Sequence, residues 1–192
     1  YTYLHRVLAD LKENGFSFFH PEELDVKTKA WLRHYFEEQI YPVVTPLAVD
    51  SGHPFPFLAN NTINAIVRIF QVQPDGTKDY KIAILPIPSV LDRIIEVPSS
   101  SNKVHRFVYL EDVISYYATQ FFQGYGIEES MIFRLTRDAD LEIDEEDAKD
   151  LLTEVEASLR RRRRGDAVRL EVVGAGSPEL LRTVLASVEL EE

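Results

Sequence analysis

An α+β fold, with one mixed β-sheet flanked by helices in a layered α/β/α-like arrangement, is what the 192 residues predict. Three observations carry that expectation. Short β-branched runs with alternating character, such as Ile63–Ile69 and Ala167–Val173, are interleaved with segments whose apolar residues recur at helical spacing. A Pro74-Asp75-Gly76-Thr77 turn joins two of the strand-like runs as a hairpin. Apolar residues make up 45% and charged residues 28%, the composition of a globular chain long enough to bury a core.

In order, Leu4, Val7, Leu8 and Leu11 predict a first helix stopped at Asn14-Gly15, and Phe16–Phe19 a strand. Trp31, Leu32, Tyr35, Phe36 and Ile40 mark a second helix, with Asp25 or Thr28 as cap. Residues 45–61 carry Pro46, Pro54 and Pro56 and read as loop. The hairpin strands follow, Ile63–Ile69 and Tyr80–Ile87. Val90–Val97 is expected as a short helix, Arg106–Leu110 as a strand, and Glu111 to about Phe122 as a helix with an apolar stripe. Ile127–Thr136 predicts a strand, residues 144–164 a long helix with acids first and arginines last, and Ala167–Val173 a strand. Ser177-Pro178-Glu179 opens the last helix with a capping serine and proline at its first position.

Composition narrows function as well. Cysteine is absent, which removes disulfides and thiolate chemistry. The net charge of −11 argues against a general nucleic-acid binder, and no run approaches the roughly 20 apolar residues of a membrane span. A cytoplasmic location is expected, with peripheral membrane association through a larger parent as the alternative. The first residue is not Met and the last two are Glu191-Glu192, which suggests a piece of something longer.

Chemistry-bearing patterns are sparse. His5, His20, His34, His53 and His105 are scattered with no metal spacing, and no phosphate-binding loop or nucleophile elbow occurs. Gly174-Ala175-Gly176 reads as a strand-to-helix turn, and the acids Glu142, Asp144, Glu145, Glu146 and Asp147 as a helix start. Arg160, Arg161, Arg162, Arg163 and Arg164 form a dense anion-attracting patch, read either as a structural or subunit contact or as a polyanion site, extendable by Arg134, Arg137 and Arg169. The prolines around His53, Phe55 and Phe57 stiffen that loop. Two rings spaced by two point the same way in an extended segment, either to dock another surface or to close this chain's own core.

The string Tyr41-Pro-Val-Val-Thr-Pro-Leu-Ala-Val-Asp50, running on to His53-Pro-Phe-Pro-Phe57, resembles polyphosphate kinases of the larger, histidine-phosphorylated kind. Val108-Tyr-Leu-Glu-Asp-Val113, Phe133–Leu141, Leu159–Gly165 and Ala167–Val172 follow in that family's order. The resemblance implies an enzyme that moves the terminal phosphate of ATP to and from inorganic polyphosphate, through a phosphohistidine and with magnesium. It implies further that this chain is similar to the middle, or head, domain alone. Residues 1–40 are then a helical lead-in from an N-terminal domain and 41–192 the head domain, together one compact unit. The catalytic histidine and the ATP and magnesium contacts are expected in other domains, so no catalytic, cofactor or metal residue is carried over. The partners implied are the other domains of the same chain, the second subunit of a homo-oligomer and, through the arginine run, inorganic polyphosphate.

Overall fold

A computed structural model describes residues 2–50, 52–99, 101, 103–138, 165–173 and 177–190. Helix α1 spans Thr2–Glu13 and ends where expected. Gly15 adopts φ +87°, and a side chain there would run into the Lys103 carbonyl, so only glycine turns the chain into β1 (Phe16–Phe18) at this spot. Helix α2 (Val26–Tyr35) begins at Asp25, whose carboxylate accepts from the Thr28 backbone at 3.0 Å. It continues through a π turn, Phe36–Ile40, and a 3-10 turn, Tyr41–Val43, before the chain becomes extended at Val44.

Strands β2 (Leu47–Val49), β3 (Ile63–Val72) and β4 (Lys78–Pro86) follow. The β3–β4 turn is closed by Gln73 N–H on the Thr77 carbonyl at 2.8 Å, with the Asp75 carboxylate accepting from the Thr77 amide and hydroxyl. Next come β5 (Ile94–Val97), β6 (His105–Tyr109), α3 (Leu110–Tyr116), β7 (Gly126–Arg137), β8 (Ala167–Val173) and α4 (Pro178–Ser187). The Ser177 hydroxyl accepts from the Glu179 amide at 3.1 Å, as the capping serine predicts. The predicted helix over 144–164, with its acids and arginines, lies outside the described residues, as do Gly174–Gly176.

The α+β class holds, and helices cover both faces of the main sheet. The strands nevertheless divide between two sheets instead of one. Five are antiparallel in the order β2-β4-β3-β7-β8, and three form a smaller mixed sheet, β1-β6-β5. Pro86 and Pro88 remove amide donors at the end of β4, so the chain leaves the large sheet there and starts a second one.

Two local expectations change with it. Val90–Val97 is not a helix: its second half is strand β5, with Ile95 and Val97 buried and Ile94 and Glu96 outward, a period of two too short for helical turns. Within the proline-rich loop, Leu47–Val49 pairs with Ile82–Ile84 as an edge strand.

The pleat of the large sheet separates two cores. Ala65, Val67, Ile69, Ala83 and Leu85 face α2, α3 and the small sheet, where Leu32, Phe36, Ile40, Val108, Val113 and Ile114 meet them. Ile66, Ile84, Met131, Phe133 and Leu135 face α4, which supplies Leu180 and Val184. Leu180→Ala should therefore loosen α4 and cost about 2–5 kcal/mol, the usual range for a buried leucine, read as a lower urea midpoint with unchanged slope.

Asp25 also ties α2 to the small sheet, through Arg106 at 2.9 Å. The Thr28 amide, then Arg106 and the Thr28 hydroxyl, hold its carboxyl well below the usual carboxylate range. A depressed folded value means its contribution is present above the ordinary carboxylate pKa and fades as pH falls through the folded one. Asp25→Asn should thus lower the melting temperature at neutral pH and flatten the acid limb of the stability profile. A parallel shift of the whole profile would contradict this.

Candidate docking loop and the adjoining charged cleft

The loop after β2 is closed on itself. Asp50 N–H donates to the His53 carbonyl at 2.9 Å and His53 N–H to the Asp50 carbonyl at 3.1 Å. The Asp50 carboxylate also accepts from the amides of Gly52 and His53, both at 2.8 Å, and lies 3.0 Å from His53 Nδ1. The His53 contact, then the Gly52 amide, draws its carboxyl below the ordinary range. The imidazole is thereby oriented from one nitrogen while its side chain remains 74% exposed.

The two rings of the loop part company. Phe55 is half buried against the α4-side core, whereas Phe57 is 54% exposed and carries the Arg137 guanidinium 4.4 Å above its ring. Arg137 fastens the loop to the end of β7. Its Nε donates to the Leu58 carbonyl, its amide to Asn60 Oδ1, and a terminal nitrogen to the Gly165 carbonyl. Asn61, at φ +59°, donates its amide to the Leu135 carbonyl, a backbone state that asparagine tolerates better than most residues. The loop is thus pinned at both ends.

Beside it lies an open cleft of about 540 Å³ lined in part by Asp50, Arg68, Tyr80, Lys81, Glu128 and Glu179. Arg68 is its hub. The guanidinium meets Glu128 at 2.9 Å, Glu129 at 3.2 Å and Glu179 at 2.5 Å. Neighbouring residues of a regular strand point to opposite faces, so Glu128 and Glu129 could not both reach one arginine. A β-bulge opposite Arg68 and Ile69 inserts the extra residue that lets them. The Tyr80 hydroxyl donates to Glu128 at 2.9 Å, and this bond, with Arg68, holds Glu128 below its usual range; the same bond, with burial, pushes the phenol up against the opposing Arg68 charge.

Chemically the cleft is a brace. Its arginine is spent on three carboxylates and its tyrosine hydroxyl is engaged by Glu128. Arg68→Ala should leave those carboxylates facing one another across α4 and the sheet, lowering the melting temperature. High salt should narrow the deficit by screening. A deficit independent of salt would mean packing, not charge, was lost.

The other residues singled out from the sequence are dispersed. Arg134 and Arg169 both bind Glu171, each at 2.7 Å, and Arg137 is taken up by the loop, so these three are engaged within the chain. Arg160–Arg164 lie outside the described residues. His20, His34 and His105 each face one carboxylate, of Asp112, Glu38 and Glu96. Among the described residues no three metal-capable side chains converge. The Arg68 hub was missed from the sequence. Its only local signal is a charge inside the apolar run Ile63–Ile69, and the bulge that completes it has none.

The fold and this loop define a class: an antiparallel sheet covered by helices on both faces, with a proline loop that sets Phe55 against the core and leaves Phe57 and His53 exposed. Comparison with known proteins gives the family. Residues 27–192 match the polyphosphate kinase middle domain, and the chain belongs to that family. It is 39% identical to a polyphosphate kinase of Halalkalibacterium halodurans over 192 residues, all of this chain and 27% of that protein. With a polyphosphate kinase of Pseudomonas syringae the identity is 38% over 187 residues, 97% of this chain and 25% of the relative. The crystal structure of polyphosphate kinase from Porphyromonas gingivalis superposes with a TM-score of 0.74 at 24% identity, covering 98% of this chain and 26% of that one. The chain therefore spans about a quarter of the length of the relatives it matches. No described helix is long and apolar enough to cross a membrane.

Proposed function

We propose that this chain is the non-catalytic head domain of an ATP:polyphosphate phosphotransferase, supporting the domain assembly and dimerisation of the kinase. The carrying observation is the match of residues 27–192 to the middle domain alone, a quarter of each relative's length. The pinned loop is consistent with that role. Its exposed residues His53 and Phe57 are the docking contacts of this reading, with Phe55 as their anchor in the core. A rigid contact surface loses little entropy on docking. ATP and magnesium are assigned to other parts of such an enzyme, and no residue here is given to them.

The test supplies this chain together with the remaining domains of a related polyphosphate kinase expressed separately. Polymer synthesis from ATP is expected only from the mixture. His53→Ala and Phe57→Ala should raise the concentration of this chain needed for half-maximal synthesis without unfolding it. Incorporation of labelled phosphate into this chain alone would refute the reading.

A second reading is favoured by the five consecutive arginines at 160–164, a guanidinium density suited to phosphate. In it the run guides the polymer. Fluorescent polyphosphate should then bind at low salt, bind less as salt rises, and be lost when all five arginines become alanine. Retained binding in that variant would remove the arginine run from the polymer's path.

A further inference from the structure

Arg137 holds the docking loop with only part of its hydrogen-bonding capacity. The guanidinium lies 4.4 Å over the Phe57 ring, its Nε donates to the Leu58 carbonyl at 2.8 Å and its Nη1 to the Gly165 carbonyl at 2.9 Å. A guanidinium has five N–H groups. Two are committed to carbonyls, so one on Nη1 and both on Nη2 remain. Among the described residues nothing accepts from Nη2, and it is not sealed from solvent.

Its charge is also unanswered. Six of the other described arginines each meet a carboxylate, and the remaining two, Arg6 and Arg182, are exposed. Arg137 is half-buried with no carboxylate in ion-pair contact. Hydrogen bonds to carboxylates hold Arg33, Arg68 and Arg93 above their ordinary value. Burial draws Arg137 below it, and the more distant charge of Asp166 opposes this only in part. Arginine keeps its proton at neutral pH, so the cost of burying it is relieved by an anion and not by neutralisation.

Three N–H groups in one plane suit two oxygens of an oxyanion, and the ring beneath fixes that plane. The Gly165 carbonyl that holds Nη1 belongs to the residue next after the five arginines in sequence, so more guanidinium groups follow within a few peptide bonds. That density of positive charge favours a multiply charged phosphate over a single carboxylate. Asp138 and Asp166 adjoin Arg137 and Gly165 in sequence and repel an anion. The ligand must then be held by direct bonds to Arg137 and not by the general field.

We infer that Arg137, clamped on Phe57, is a phosphate-binding site taking one phosphoryl group of an inorganic phosphate chain. The site lies outside the arginine run, and the choice of ligand rests on the polymer-guiding reading of that run.

The experiment is NMR of the arginine Nε–H groups of the whole chain, titrated with inorganic phosphate or tripolyphosphate at fixed ionic strength. The Arg137 signal, identified by its loss in Arg137→Lys, should shift in a saturable way with both and at lower concentration with tripolyphosphate. Arg137→Lys keeps the charge and loses the fork, and should weaken tripolyphosphate binding by at least about tenfold. Phe57→Leu keeps the arginine and removes the ring that orients it, and should weaken binding severalfold, circular dichroism confirming that both variants are folded. An Arg137 signal unmoved by either phosphate would overturn the site. If tripolyphosphate still bound and was lost only when the five arginines became alanine, the polymer-guiding reading would stand without it. Binding retained in that five-alanine variant and lost in Arg137→Lys would keep the site and remove the run. An equal shift with acetate would overturn the phosphate assignment and mark the clamp as a carboxylate contact.

Discussion

Phe36→Ala is expected to destabilise the chain by about 3–5 kcal/mol, the range for deleting a fully buried phenylalanine. The ring has no exposed surface and sits in the π turn that extends α2. It packs on Tyr117 at 4.7 Å, Phe121 at 5.5 Å and Tyr41 at 6.0 Å between centroids, so its removal also deprives three aromatic neighbours of a partner. Total domain stability is of order 5–15 kcal/mol. The variant should therefore unfold at a much lower urea concentration or be partly unfolded without denaturant. Phe36→Leu keeps most of the apolar volume and should recover more than half of the loss. Equal urea midpoints for Phe36→Ala and the parent would show that α2 is not anchored as described.

The second large effect is expected at α3. Glu111 is 4% exposed, and its carboxylate is met by Arg93 from the segment before β5, through Nε at 2.9 Å and a terminal nitrogen at 2.5 Å. The other oxygen, Glu111 Oε2, and the Ser115 hydroxyl one turn on are buried without a hydrogen-bond partner among the described residues. Arg93→Ala would leave a buried carboxylate with neither oxygen satisfied. Breaking a buried pair in this one-sided way costs about 3–5 kcal/mol. The Arg93 side chain is itself 56% exposed, so water can replace part of the interaction and about 2–3 kcal/mol is the expected loss. Removing both partners, as Arg93→Ala with Glu111→Leu, should recover most of it, because no charge then remains buried. A double variant no more stable than Arg93→Ala would show that the pair matters for shape and not for charge compensation. Thermal or urea unfolding of the four proteins of this cycle provides the measurement.

The pair also bears on the family motif that includes Glu111. Val108-Tyr-Leu-Glu-Asp-Val113 looked in the sequence like a strand running into a helix, and it is one: β6 ends at Tyr109 and α3 starts at Leu110. That Glu111 points inward to Arg93 while Asp112 lies 3.2 Å from His20 could not be read there. Burial raises the Asp112 carboxyl above its ordinary value, the His20 contact opposing this. A raised folded value makes the ionised carboxylate a net cost, which is relieved as pH falls through it. The Asp112 contribution thus runs opposite to that of Asp25, and the two partly cancel in the acid limb.

What the sequence determined by itself was set within a few residues. Ser177 caps the last helix because a short polar side chain reaches an amide two residues on, and of the two caps the sequence offered for α2, Asp25 and Thr28, Asp25 takes the place by accepting from the Thr28 amide. Gly15 and Gly76 turn the chain because both take positive φ, at +87° and +83°. The alternation of Ile63–Ile69 predicted a strand with two faces, and both faces are used. The proline loop was legible as stiff, since proline fixes φ wherever it stands. The division of the strands into two sheets was left to the tertiary structure, as was the separation of half-buried Phe55 from exposed Phe57. So was the Arg68 hub, whose partner Glu128 stands 60 residues away and reaches it only through a bulge. Periodicity states which side of a strand is apolar. It does not state which strand lies alongside, and an ion pair needs two strands to be in register.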